Sequence, residues 1–237
     1  MNRVRQRRLI TAGALVAGVL LALPTELAVR ALGRWLGIDP KAQVTGAIGS
    51  MLATVLLFAP LEEAVKAGAL WAARSRFVRN GRRGAVLGAV LSVGFALVEI
   101  GFYLTGTARG LFAVLRAGLA LAARAVTGGA WGYALGSSRP SRLPNRAFIL
   151  TWAAVTALRG LDDHLLFGKG LAALLGSVPL LAGMIAFAYG AARDIGLVSG
   201  RRIQVIGPLS FLPSLPPPPS LGAMRDALRR AERPVML

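Results

Sequence analysis

The chain alternates long apolar runs with short arginine clusters, and this alternation restricts its fold more than any other feature. A helix needs about 20 mostly apolar residues to span the hydrocarbon core of a bilayer. Six runs reach that length: 9–29, 44–72, 84–106, 110–137, 146–168 and 171–192. Charged residues are only 16% of the chain, whereas soluble domains contain about 25%. The sequence therefore predicts an all-α polytopic membrane bundle of about six transmembrane helices.

The basic residues between these runs also predict an orientation. Arginine-rich segments lie at residues 3–8, 74–83, 139–146 and 193–202. The intervening connections, at 30–43, 107–109 and 168–170, contain three, one and one basic residues, against three to five in each arginine-rich segment. Because basic residues accumulate in cytoplasmic loops, both termini are predicted to be cytoplasmic. The charged start also resembles a signal peptide, but the long first run favours an uncleaved anchor.

The net charge of +18 comes mostly from arginine, since only three of the 28 basic residues are lysine. These residues are clustered between apolar runs, which favours contacts with lipid headgroups over a nucleic-acid surface. We therefore expect the lipid bilayer, and no nucleic acid, among the partners. The absence of cysteine excludes disulfides, thiolate metal ligands and cysteine nucleophiles.

The composition changes after the last apolar run. We expect a transmembrane helical domain over residues 1–195 and a proline-rich cytoplasmic linker with a short basic tail over 196–237. Residues 203–218 are rich in proline, which is typical of an extended linker. Residues 220–233 fit either a disordered basic tail or a short amphipathic helix on the inner leaflet.

Several ionisable residues lie inside the predicted spans. They include the acidic Glu62, Glu63, Glu99, Asp162 and Asp163 and the basic Lys66, Arg116, Arg124 and Arg159. Charge in a bilayer is costly, so such residues face the bundle interior, pair with one another or serve a function. Four consecutive spans bring these groups to a similar depth, within about two helical turns. One polar chamber near the middle of the membrane explains this common depth.

The spacing of these residues predicts which of them share a helical face. Residues four apart lie on one face, as do Phe95 and Glu99, and Arg159 and Asp163. The same spacing predicts that Lys66 pairs with Glu62; the alternative is that it extends towards the cytoplasmic surface. In the fourth span, Gly128, Gly129 and Gly132 are predicted to let that helix approach a neighbour closely.

Two motifs in this region resemble a known family. Glu62-Glu63-Ala-Val-Lys66 and then Phe95-Ala-Leu-Val-Glu99 resemble the first two motifs of the PrsW family of bacterial intramembrane metalloproteases. The resemblance covers about residues 44–168. A related family of prenyl-protein and bacteriocin-processing membrane proteases fits less well, because it has histidine at the position of Glu99.

The resemblance implies a site and a reaction. It implies hydrolysis of a membrane-embedded protein substrate in a bacterial cytoplasmic (inner) membrane, with zinc or another divalent metal. Glu62 and Glu63 would be catalytic, and Glu63, Glu99 and Asp163 would hold the metal. Lys66, Phe95, Asp162 and His164 would support the site, with His164 as a possible nitrogen ligand.

The last two motifs of the family depart from its pattern in this chain. Arg124 and Arg159 stand where the family has histidine, and a guanidinium group does not bind metal because it stays protonated. Two arginines among buried carboxylates form charge-assisted pairs and supply the positive charge that a divalent ion would bring. The sequence thus favours lost or altered metal chemistry. The alternatives are an active protease, a catalytically inactive pseudoprotease that binds partners, and a transport-type polar pathway.

Overall fold

The computed structural model describes residues 3–37, 48–106, 110–138, 145–166 and 171–198. All of them belong to one compact unit, Met1–Arg202. The regular elements within these ranges are helical: α1 (Arg3–Trp35), α2 (Ile48–Ala53), a π-helical turn (Thr54–Phe58), α3 (Ala59–Ala72), α4 (Arg74–Phe77), α5 (Gly81–Gly106), α6 (Leu111–Ser137), α7 (Arg146–Leu166) and α8 (Leu171–Val198). The predicted all-α membrane bundle is confirmed.

Four of these helices are long and apolar enough to cross a membrane: Arg5–Trp35, Gly81–Phe102, Leu111–Ser137 and Leu175–Arg193. The other two predicted spans correspond to residues 48–72 and to α7. Both are helical, but they contain most of the charged residues discussed above, which lowers their hydropathy. The count of six spans and the cytoplasmic location of both termini stay predictions.

Helices α1 and α5 pack together and run parallel. Near their N-terminal ends, Thr11 and Val90 line one groove. Further along both helices, the Arg30 guanidinium carbon lies 5.3 Å from the centre of the Phe102 ring. The two helices therefore begin on the same side of the bundle, as the arginine pattern predicts for the first and third spans.

Helices α5 and α6 meet along a seam of glycines, which we call the glycine seam: Gly84, Gly88, Gly128 and Gly132. A Cβ atom added at Gly84 would overlap the carbonyl oxygen of Gly132, and one added at Gly88 would overlap that of Gly128. Such close backbone approach is how small residues hold membrane helices together. The predicted role is confirmed for Gly128 and Gly132. It is wrong for Gly129, where the nearest atoms to an added Cβ are at an ordinary 3.8 Å.

The π-helical turn directly precedes the first motif. The Ala59 N–H donates to the carbonyl of Thr54, five residues earlier, and the following Pro60 has no N–H to donate. Single π-turns of this kind are frequent at functional sites. On α7, Gly160 lies against Val55 and Ala59 of this segment, and an added Cβ there would collide with the Val55 backbone. The turn and Gly160 thus bring the first motif close to α7.

Helix α8 continues to Val198, a little beyond the predicted end of the transmembrane domain. Residues 199–237, with the proline run and the tail, lie outside the described residues. The division into 1–195 and 196–237 therefore stays a prediction.

Candidate functional site

Helices α3, α5, α6 and α7 bring charged side chains from all four predicted motifs into one buried group. We call it the ion-pair centre, and it consists of Glu62, Glu63, Lys66, Glu99, Arg124, Arg159 and Asp163. Each of these residues is at most 9% exposed. The expected convergence of the carboxylates from three spans is therefore observed.

Arg159 of α7 lies in the middle of this group. Its Nη1 donates to Glu63 Oε1 at 2.9 Å, and its Nη2 donates to Glu62 Oε2. The same Nη2 is 3.6 Å from Glu99 Oε1 and 3.5 Å from Asp163 Oδ2. One fully buried guanidinium is thus within ion-pair distance of four carboxylates.

Arg124 of α6 binds two of these carboxylates, Glu99 and Asp163. Its Nε and Nη2 donate to Glu99 Oε2 at 3.0 and 2.8 Å. Its Nη1 donates to Asp163 Oδ1 at 2.6 Å. Both arginines that stand where the resemblance predicts histidine therefore point into the carboxylate group rather than away from it.

Glu63 has both of its carboxylate oxygens occupied by donors. Oε1 accepts from Lys66 Nζ at 2.5 Å as well as from Arg159. Oε2 accepts from the indole Nε1 of Trp131 at 2.7 Å. Trp131 lies on α6 and is fully buried. The sequence did not predict its role, because a tryptophan in an apolar run gives no signal of a polar contact.

The predicted pairing of Lys66 with Glu62 is wrong. Lys66 pairs with Glu63, three residues earlier, and its Nζ lies 4.5 Å from the centre of the Phe95 ring. Arg159 binds the Glu62 carboxylate. The ammonium group stands between the Glu63 carboxylate and an aromatic face that attracts cations. Phe95 of the second motif is therefore in contact with the first motif through Lys66.

Glu26 of α1 also reaches the site, which the sequence analysis missed. Glu26, Glu62 and Glu99 each offer a carboxylate oxygen, and these atoms lie within 4.8 Å of one another. Glu26 is 3% exposed, and Arg30 Nε is 3.5 Å from its Oε2. A signal was available, because Glu26 lies within the predicted first span.

Two of the predicted supporting residues lie apart from these contacts. Asp162 is buried, but its Oδ2 has no hydrogen-bond partner among the described residues. His164 is partly exposed on α7. None of the described ion pairs includes its imidazole. The structure therefore does not bring a histidine into the carboxylate group.

The donor set does not fit a zinc site with histidine ligands. Glu63, Glu99 and Asp163, the predicted metal ligands, each accept a hydrogen bond from a buried cationic side chain. Zinc sites in proteins normally include histidine or cysteine. The permanently charged guanidinium groups would moreover repel a divalent ion placed among the same oxygens.

An all-carboxylate site is the remaining way to hold a metal ion. Glu26, Glu62 and Glu99 offer only oxygen ligands, which suit magnesium or manganese better than zinc. All three of these residues, however, already pair with guanidinium groups: Glu26 with Arg30, Glu62 with Arg159 and Glu99 with Arg124. A cation at this position would compete with all three ion pairs.

Comparison with known proteins places the chain in a family. The family model described as PrsW family intramembrane metalloprotease matches residues 6–189, which is most of the chain. No curated protein and no solved structure matches it. The family membership implies a membrane-embedded protein of a protease group that uses a divalent metal. The chain belongs to the PrsW family of intramembrane metalloproteases.

Proposed function

We propose that this PrsW-family protein has an ion-pair centre in place of the family's metal, and that it binds membrane-embedded protein segments without hydrolysing them. The observation that carries the proposal is the position of Arg124 and Arg159. Both occupy histidine positions of the family, and together they contact Glu62, Glu63, Glu99 and Asp163. The charge that a metal would supply is thus supplied by the chain itself.

The balance of charge supports this proposal. The four carboxylates of the ion-pair centre face three buried cations, Lys66, Arg124 and Arg159, and the neighbouring Glu26 pairs with Arg30. Like charges a few ångströms apart repel strongly in a buried site, where the dielectric screening is weak. A divalent cation bound among these groups would have to displace the guanidinium groups. Such displacement would leave two buried arginines without their partners.

The contacts of the two predicted catalytic residues point the same way. A general base has to take a proton from a water molecule within hydrogen-bond reach. Glu63 is already occupied by Lys66, Arg159 and Trp131. Glu62 accepts from Arg159. We propose that both glutamates hold the bundle together rather than activate water.

Family membership supports the nature of the partner. An intramembrane protease has to admit a segment of a membrane-embedded protein, and a member that no longer cuts retains the same bundle. We propose a bacterial cytoplasmic membrane as the location, with both termini on the cytoplasmic side. The partner is then a protein segment within the same membrane, of the kind that an active member of the family would cut.

The test is to restore the two histidines. We expect the double variant Arg124→His/Arg159→His to gain about one zinc per chain, measured by elemental analysis of the purified, detergent-solubilised protein. The wild type should bind far less. Arg116→His is the matched control, since it introduces a histidine on α6 outside the ion-pair centre, and it should gain no zinc.

A second candidate function rests on the three-carboxylate group. If the wild type binds manganese stoichiometrically and Glu26→Gln abolishes this binding, the chain is a metal-dependent member with an altered ligand set. That result would overturn the proposal of a metal-free centre. The proposal of a metal-free centre is supported if the wild type binds no metal and the double histidine variant gains zinc.

A further inference from the structure

A groove lies between α1 and α5, towards the ends where both helices begin. None of the residues that line it belongs to the ion-pair centre. We call it the α1–α5 groove, and it is lined by Arg7, Arg8, Thr11, Ala12, Leu15 and Val90. Its volume is about 440 Å³. Neither the family membership nor the proposed function assigns a role to it.

The groove is basic at the end nearest the start of α1 and apolar along its walls. Arg7 and Arg8 are exposed and stand at the start of the first apolar run. The Thr11 hydroxyl donates a hydrogen bond to the Arg7 carbonyl of its own helix at 3.1 Å. Its hydrogen is therefore already used within α1. Among the described residues, the lining contains no acidic side chain that would neutralise the two guanidinium groups.

The opposite end of the groove, beyond Leu15, is closed by direct contact between the two helices. An added Cβ at Gly18 would meet the Leu91 carbonyl, and one at Gly94 would meet the Leu15 carbonyl. From Arg7 to Leu15 the helix rises about 12 Å. The groove is therefore a slot that is cationic at the membrane surface and apolar over a short depth below it.

This combination matches one class of molecule in the surroundings of the protein. Guanidinium groups bind phosphate through paired hydrogen bonds, and basic residues next to membrane helices attract anionic lipids. An apolar slot below the phosphate accepts the beginning of an acyl chain. A free phosphate ion would use the arginines but not the apolar walls.

We propose that the α1–α5 groove is a binding site for an anionic phospholipid. Arg7 and Arg8 bind its phosphate, and the first part of one acyl chain packs against Leu15 and Val90. The site holds a lipid at the junction of α1 and α5 on the predicted cytoplasmic side.

The experiment uses the full-length protein, freed of lipid in a neutral detergent and titrated with dioleoyl phosphatidylglycerol or dioleoyl phosphatidylcholine. Bound lipid is counted by native mass spectrometry. We expect one tightly bound phosphatidylglycerol, with a preference over phosphatidylcholine of roughly thirtyfold for two arginines. Excess inorganic phosphate should not displace it.

Two variants locate the lipid. Val90→Trp fills the apolar wall and keeps every charge, and it should abolish the tight binding. Arg7→Ala/Arg8→Ala should reduce the preference for phosphatidylglycerol to near one. Arg82→Ala is the control, because Arg82 is exposed at the same end of α5 but does not line the groove, and it should bind lipid as the wild type does.

The basic residues of the tail are present in every variant, so they contribute equally to all measurements. Equal loss of binding in the Arg82 variant would show a diffuse effect of surface charge and overturn the proposal. Unchanged binding in Val90→Trp would do the same. Displacement by inorganic phosphate would show an anion site that does not use the acyl chain, which also contradicts the proposal. If the double arginine variant does not fold, Val90→Trp alone decides the question.

Discussion

The glycine seam and the Arg124–Glu99 pair of the ion-pair centre both join α5 to α6, but they hold these helices together in different ways. The seam works through shape, since its glycines let two backbones touch. The centre works through charge, since Arg124 of α6 binds Glu99 of α5. Apolar helices gain little from burial against each other in lipid, so both devices are needed. Stability should therefore depend on side-chain size at the glycine seam and on side-chain charge at the ion-pair centre.

The two regions are also continuous along the helices. Arg124, Gly128 and Gly132 are spaced by four residues on α6 and therefore form one stripe. In the seam, Gly128 lies against Gly88, and the centre begins one turn away at Arg124. The close approach at the seam positions the α6 arginine beside the α5 glutamate. Disturbing the seam should therefore weaken the centre, whereas disturbing the centre leaves the seam glycines in place.

The largest effect is expected where a charge is removed from the centre. Arg159→Ala leaves Glu62 and Glu63 buried without their guanidinium partner, and breaking a buried pair in this way typically costs about 3–5 kcal/mol. The free energy of unfolding in mixed detergent measures this loss. Arg159→Lys retains the charge but not the paired geometry and should lose less. A loss below about 1 kcal/mol for Arg159→Ala would show that the centre contributes little to stability.

The next effect concerns the tryptophan that the sequence did not single out. Trp131→Phe keeps most of the buried aromatic volume and removes the indole donor to Glu63, and hydrogen bonds to charged groups contribute about 1.5–3 kcal/mol. Trp152→Phe is a matched control, because the buried Trp152 Nε1 has no hydrogen-bond partner among the described residues. The same unfolding measurement should show a clear loss for Trp131→Phe alone. Equal losses in the two variants would mean that the hydrogen bond to Glu63 is unimportant.

The smallest effect of the three concerns the seam. Gly88→Ala adds one methyl group against the Gly128 carbonyl, and overpacking of this kind costs about 1–3 kcal/mol. Gly118→Ala is the control in α6, because an added Cβ there has no neighbour within 4 Å in the described part of the chain. It should be neutral or stabilise the helix by up to about 1 kcal/mol, since alanine is the better helix former. A stabilising Gly88→Ala would contradict the close contact.

Much of this architecture follows from the sequence, because the physical rules for a membrane are strict. Long apolar runs have to be helical, since their backbone groups find no partners in lipid. Buried charges have to meet partners, which is why the convergence of Glu62, Glu99 and Asp163 was predictable from their depth. The contacts of Arg124 and Arg159 with these acids follow from the same reasoning.

The remaining features depend on details that spacing alone does not encode. Lys66 pairs with Glu63 rather than Glu62, and its ammonium group lies beside the Phe95 ring. Glu26 joins the site from α1 through the way that α1 packs in the bundle, which no sequence motif specifies. The π-helical turn before Ala59 also shifts the register of α3 relative to a regular helix. The first two are consequences of tertiary packing, whereas the turn lies directly before Pro60, which has no N–H to donate.

The metal content of the wild-type protein tests most directly whether arginines have replaced the metal. The full-length protein is purified in detergent, saturated with zinc, freed of excess ion, and measured by elemental analysis beside Glu63→Ala. With Arg124 and Arg159 paired to the carboxylates, we predict well under one zinc per chain in the wild type and no difference in the variant. One zinc per wild-type chain, released by Glu63→Ala, would contradict this account.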